Sequence, residues 1–128
     1  VIRIFKSKLI RETIDESELT QLETDFRRYK QEGVLPDLFG RDVPYDHPNT
    51  LPVLKQEEVK HLHLLEQPIR KLQFYRTSDS HLVYYGGFNN PDIYLFMALL
   101  RPDAHQQARQ NEAMYQLGVM AQNFRKRY

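Results

Sequence analysis

Between the turn cluster Asn89-Asn-Pro-Asp92 and Pro102, the eight residues from Ile93 to Leu100 are apolar at successive positions. Strand side chains alternate between two faces, so a strand that is apolar on both belongs in the centre of a sheet covered on each side. The run is also far too short to cross a membrane. Everything else in the chain must therefore be arranged around a buried strand.

Other strands are expected on either side of it in sequence. Val1 to Lys6 alternates with β-branched content, and Val59 to Leu65 does so with Lys60, Leu62 and Leu64 on one face and Val59, His61, His63 and Leu65 on the other. Lys71 to Arg76 reads as a further strand. Thr77-Ser-Asp-Ser80 is a turn cluster, after which His81 to Tyr85 resumes as a strand until Gly86-Gly87. A helix is expected to begin near Ile14, where Thr13-Ile-Asp-Glu16 has the form of a capping box. Its apolar stripe is Leu19, Leu22, Phe26 and Tyr29, and Gly33 ends it. A closing helix is expected from Asp103, with Ala108, Met114, Leu117, Ala121 and Phe124 on one stripe and Arg125-Lys-Arg127 at the end that favours cations. From Val34 to Leu54, four prolines and Gly40 predict an ordered loop with at most one helical turn at Pro36 to Phe39. Sequential strands joined by short turns imply an α+β domain: a small antiparallel sheet of four to five strands, an N-terminal helix layer and a C-terminal helix.

The 128 residues fit a single domain spanning 1–128. Hydrophobic residues at 41% and charged residues at 27% are the balance of a globular protein rather than a disordered or membrane one. The opening Val-Ile-Arg-Ile-Phe-Lys lacks the apolar core of a secretory leader, and the chain has no cysteine, so the expected location is the cytoplasm. A net charge of +1 argues against capture of naked nucleic acid by a strong global field. Any contact with RNA must be local.

Four of the five histidines, His61, His63, His81 and His105, fall within Val59 to His105 together with Arg76 and Arg101. An imidazole titrates near neutrality, so it can take the proton of a 2′-hydroxyl or protonate a 5′-oxygen leaving group. Arginine at a strand end can hold a phosphate through paired N–H donors. The competing readings are solvated histidines and surface ion pairs of Arg76 with Asp79 or Arg101 with Asp103. His61-Leu-His63 as a metal pair lacks a third ligand at a diagnostic spacing, and no metal or cofactor is expected. Tyr84 and Tyr85 alternate faces, so one is expected in the core and Tyr84 is a candidate for stacking a base. In Phe39-Gly-Arg-Asp42, Arg41 and Asp42 are expected to clamp each other or the sheet, with Arg41 also a candidate RNA contact. The basic end, Arg125 to Tyr128 with Arg109, is expected mainly to solvate its helix.

The chain resembles the YafO family of type II toxins along nearly its whole length. The residues that carry the likeness are Arg3 to Arg11, Tyr29-Lys30, Gly33-Val-Leu-Pro-Asp-Leu-Phe-Gly-Arg-Asp42, Val59-Lys-His-Leu-His-Leu64, Arg76-Thr77, His81-Leu-Val-Tyr84, Leu100-Arg-Pro-Asp-Ala-His105, Ala108-Arg109, Met120-Ala121 and Phe124-Arg125. The resemblance implies a RelE-like toxin fold and ribosome-dependent cleavage of mRNA, with growth arrest and neutralisation by a YafN-like antitoxin. On this basis the expected reaction is metal-independent transesterification at mRNA. His63 and His81 are the base and acid candidates, His105 is an alternative acid, and Arg76 is the phosphate stabiliser. His61, Lys60, Arg101, Tyr84 and Arg41 are the expected substrate contacts. The alternatives are a non-catalytic toxin on the same fold that inhibits a target through a protein interface, and a metal-dependent nuclease built on His61 and His63.

Overall fold

The computed structural model describes residues 1–45, 50–101, 107 and 110–128. Among them the chain runs β1 (Arg3–Lys6), α1 (Lys8–Thr13), α2 (Glu16–Glu32), β2 (Phe39–Pro44), α3 (Pro52–Glu57), β3 (Lys60–Leu64), β4 (His81–Gly86), β5 (Ile93–Leu100) and α4 (Asn111–Arg127). The strands form one sheet in the order β1-β5-β4-β3-β2. The architecture is α+β, consistent with a RelE-like toxin fold, with the apolar run Ile93–Leu100 inside the sheet between β1 and β4. Three of the four pairings are antiparallel, but β1 runs parallel to β5, so the sheet is mixed. The whole chain between Lys6 and Ile93 separates these two strands, ample length for the return that a parallel pair requires.

Two cores sit on the two faces of the sheet. One packs Ile10, Leu19, Leu22 and Phe26 of α1 and α2 against Ile4, Phe39, Leu62, Leu82, Tyr84 and Phe96. The other packs Met114, Leu117, Ala121 and Phe124 of α4, with Leu54 of α3, against Val59, Val83, Tyr85, Leu95 and Met97. Strand alternation explains the division, because Leu62, Leu82 and Tyr84 point one way while Val59, Val83 and Tyr85 point the other. The register of β4 against β5 slips between Val83 and Tyr84, where Ala98 is followed by Phe96 as the next partner. That irregularity lets Met97 and Ala98 both join the α4 side and keeps β5 apolar throughout.

Three local expectations are corrected, and a fourth falls outside the described residues. The Thr13 capping box gives way to two helices. Ser7 caps α1, and the Asp15 carboxylate accepts from the Glu18 amide to start α2 at Glu16, while Gly33 ends α2 at φ 70°. The proline-rich segment contains a strand and a helix. β2 occupies the sheet edge, where Pro44 at its end removes no essential hydrogen bond, and Pro52 opens α3 at a position that needs none. Lys71 to Arg76 is not a strand. It carries a 3-10 turn at Gln73–Tyr75, and Leu72, Phe74 and Tyr75 are exposed. The last helix is described from Asn111, so the start expected at Asp103, with Ala108 and Arg109, lies outside the described residues.

Packing holds the proline-rich segment and the 3-10 turn in place. The Arg41 amide donates to the Arg76 carbonyl at 2.8 Å, and a Cβ added at Gly40 would collide with that same carbonyl oxygen. Glycine is therefore required at position 40 by close approach of two backbones. On the other side of the sheet, Gly118 of α4 leaves room for the Val53 side chain of α3.

Candidate active site

His61 and His63 are two residues apart on β3, and His81 on β4 lies directly across the antiparallel register from His63. Period-two alternation puts all three imidazoles on the α4 side of the sheet. Their ring centroids are 4.1 Å apart for His63 and His81, 5.1 Å for His61 and His81, and 5.5 Å for His61 and His63. His63 and His81 are buried, and His61 is half-buried with Tyr45 stacked on it at 4.2 Å and an interplanar angle of 17°.

One residue of the β3–β4 connection sets the chemistry of the buried pair. The Ser78 amide donates to Nδ1 of His63 at 2.9 Å, and the Ser78 carbonyl lies 3.1 Å from Nε2 of His81. An amide can only donate and a carbonyl can only accept. Nδ1 of His63 therefore accepts and its Nε2 carries the proton, whereas His81 donates from Nε2. The Ser78 hydroxyl donates to the Ser80 carbonyl and accepts from the Ser80 amide, which closes the turn that holds this arrangement. Two neighbouring imidazoles are thus made chemically unlike by a single backbone unit.

The remaining expected site residues are dispersed. Lys60 follows the opposite alternation to His61, and its charge acts on Lys30, on the α2 side. Tyr84 is buried there with its hydroxyl donating to Asp42 at 2.6 Å, which removes it as a stacking platform for RNA. Arg101 makes a paired ion bridge with Glu18 at 2.7 and 2.8 Å, so the expected partner Asp103 is replaced and the guanidinium is committed away from the histidines. His105 lies outside the described residues. Arg76 donates from Nε to the Lys71 carbonyl at 2.8 Å and from Nη1 to the Phe39 carbonyl at 3.4 Å, which ties the 3-10 turn to the sheet edge. Arg41 clamps the same turn rather than Asp42. Its Nε donates to the Phe74 carbonyl at 2.6 Å and its guanidinium lies 4.2 Å from the centre of the Phe74 ring. The end of α4 is structural as well, because Arg125 reaches Glu57 at 3.1 Å and Tyr128 packs on Phe5 and Phe124.

Two features go beyond the sequence reading, which expected of Asp42 only a clamp on Arg41 or the sheet. Asp42 is a buried hub on the α2 side, accepting from Tyr29 at 2.7 Å and Tyr84 at 2.6 Å, with Lys30 Nζ at 3.5 Å. Burial, reinforced by the Asp42 charge, holds both phenols above their ordinary range, and burial lowers Lys30 although Asp42 opposes that shift. The other feature is the ledge formed by Leu72, Phe74 and Tyr75. All three side chains are exposed, with Phe74 and Tyr75 edge to face at 5.4 Å and Arg41 beside them. An exposed run of this kind in a basic stretch is a candidate binding surface, and the alternation that suggested a strand concealed it.

Among the described residues, no helix is long and apolar enough to cross a membrane. No solved structure matches the chain. An Escherichia coli K12 protein named mRNA interferase toxin YafO is 45% identical to it over 132 aligned residues, covering 99% of this chain and all of that protein. Residues 27–126, which include β2, the histidine cluster, the ledge and most of α4, match the family described as toxin YafO of type II toxin–antitoxin systems. The chain belongs to the YafO toxin family.

Proposed function

We propose that this toxin is an mRNA interferase, an endoribonuclease that cleaves message by transesterification at the histidine cluster. The observation that carries the reading is the His63–His81 pair, 4.1 Å apart and given complementary proton states by Ser78. His81 Nδ1 takes the proton of the 2′-hydroxyl as that oxygen attacks the adjacent phosphorus. The bond from phosphorus to the 5′-oxygen breaks, and His63 Nε2 protonates the leaving oxygen. The products are a 2′,3′-cyclic phosphate and a 5′-hydroxyl, and the route needs no external cofactor. His61, the half-exposed member, is the one that meets a bound strand first. His105 remains an alternative acid. The Phe74–Tyr75 ledge takes over the stacking role expected of Tyr84, and Arg41 and Arg76 hold backbone phosphate beside it.

Ribosome dependence is part of the same proposal. The pair is covered in the free chain and the net charge is only +1, a poor combination for capturing free RNA. A ribosome that holds and bends the message supplies the proximity the protein lacks. On this reading the toxin acts in the cytoplasm, with a YafN-like antitoxin as its neutralising partner. Cleavage of programmed ribosomal complexes and of the same mRNA alone, by the wild type and by His63→Gln and His81→Gln, tests the reading. Cuts only on ribosomes, lost in both variants, are expected; undiminished cleavage by both variants contradicts it.

A further inference from the structure

We infer that His61, His63 and His81 form a capture site for a transition-metal ion, Zn2+ in the first instance, and that the bound ion switches the toxin off. The inference rests on the acid–base reading of the same histidines. One donor nitrogen from each ring can be chosen so that all three lie within 4.8 Å of one another. Zn–N bonds of about 2.0–2.1 Å place tetrahedral donor nitrogens roughly 3.4 Å apart, so ligation asks for rotation of side chains on a fixed pair of strands. The sequence alone offered two ligands, His61 and His63. The register of β3 against β4 supplies the third from a residue eighteen positions away.

The donor set selects the ion. Three imidazoles with no carboxylate or thiolate suit zinc, cobalt, nickel or copper and give nothing to calcium or magnesium, which need oxygen ligands. Three protein ligands also leave a fourth position for water. Tyr45, stacked on His61, has a buried hydroxyl with no hydrogen-bond partner among the described residues, and a metal-bound water is the kind of group that satisfies it.

Ser78 determines how tightly the ion is held. By accepting from His81 Nε2, its carbonyl makes Nδ1 the ligand nitrogen of that ring, the outer-shell contact that orients metal-binding histidines. The Ser78 amide does the opposite for His63, because its hydrogen bond consumes the Nδ1 lone pair and leaves the proton on Nε2. Capture must break that bond or displace that proton, which makes the site a reversible one rather than a permanent structural centre. Once the ion is bound, the lone pair that would accept the 2′-hydroxyl proton and the N–H that would protonate the leaving oxygen are both lost. The same atoms serve either catalysis or the metal.

Titration of the full-length toxin with Co2+ and Zn2+, followed by visible absorption and calorimetry, tests the site without reference to activity. One ion per chain is expected, with cobalt bands of four-coordinate ligation by three nitrogens and a water, which Zn2+ abolishes by displacing the cobalt. His63→Gln and His81→Gln should each weaken binding by about 100-fold or more, the upper end of what loss of an outer-shell contact does. His61→Gln, at the half-exposed position, should do the same and guards against a folding failure in the buried pair. In parallel, Zn2+ should stop ribosome-dependent cleavage and a chelator should restore it. Absence of bands, equal binding by all three variants, or full cleavage with the ion bound overturns the inference. Unimpaired cleavage by metal-free His81→Gln instead removes the acid–base reading, while the binding result stands on its own.

Discussion

The two faces of the sheet each bury a cluster of polar groups, and the two clusters are built differently. On the α2 side the buried groups are complementary. The Asp42 carboxylate receives two phenol donors and stands beside one ammonium, while Gln73 bridges Tyr29 and the Gly40 carbonyl. On the α4 side three imidazoles are pressed together, apart from the separate Glu57–Tyr85–Arg125 group on the same face. A satisfied network of unlike groups stabilises the fold, whereas a cluster of titratable rings at one place is a candidate for chemistry. The comparison separates structural polarity from functional polarity within one small sheet.

The separation is testable by unequal effects of equally buried substitutions. His81→Gln should lower mRNA cleavage by roughly 100-fold to 10,000-fold, the usual worth of a general acid or base, with the circular dichroism spectrum unchanged. Asp42→Ala should act on stability instead. It strips a buried hub of its acceptor and should cost about 3 kcal/mol in a urea unfolding curve; a loss of cleavage with no loss of stability would transfer Asp42 to the catalytic side of the comparison. Phe74→Ala and Tyr75→Ala, which alter neither hub, should raise the KM for ribosome-bound message by about tenfold with little change in kcat, as expected when one stacked base loses its platform. The smallest effect belongs to Arg101→Gln. Its bridge to Glu18 is solvent-facing on both sides, so stability should change by less than about 1 kcal/mol and cleavage should stay at the wild-type level.

Much of this organisation was legible along the chain where periodicity is local. The stripe Leu19, Leu22 and Phe26, the alternation around His61 and His63, and the two-sided apolarity of Ile93–Leu100 each predicted an element of the right type. β2 was hidden because its pairing is non-local. Only the partner strand β3 makes Phe39–Pro44 extended, and four prolines nearby argue the other way. Lys71 to Arg76 misled for the converse reason, since six alternating residues do not distinguish a strand from an exposed ledge held by Arg41 and Arg76. The site divided in the same manner. His61 and His63 were placed on one face by spacing alone, whereas the arrival of His81 beside them, and the role of Ser78 in making the rings unlike, depend on the β3–β4 register. Tyr84 and Arg101 carried suitable side chains but were already engaged by Asp42 and Glu18, partners far off in sequence.

The most direct measurement is the chemistry of the cut ends. Message cleaved on programmed ribosomes in the presence of a strong chelator of transition metals should carry 2′,3′-cyclic phosphates upstream and 5′-hydroxyls downstream, and no such ends should form with His81→Gln. Downstream fragments bearing 5′-phosphates, or cleavage by the wild type that stops when transition metal is removed, would contradict the account.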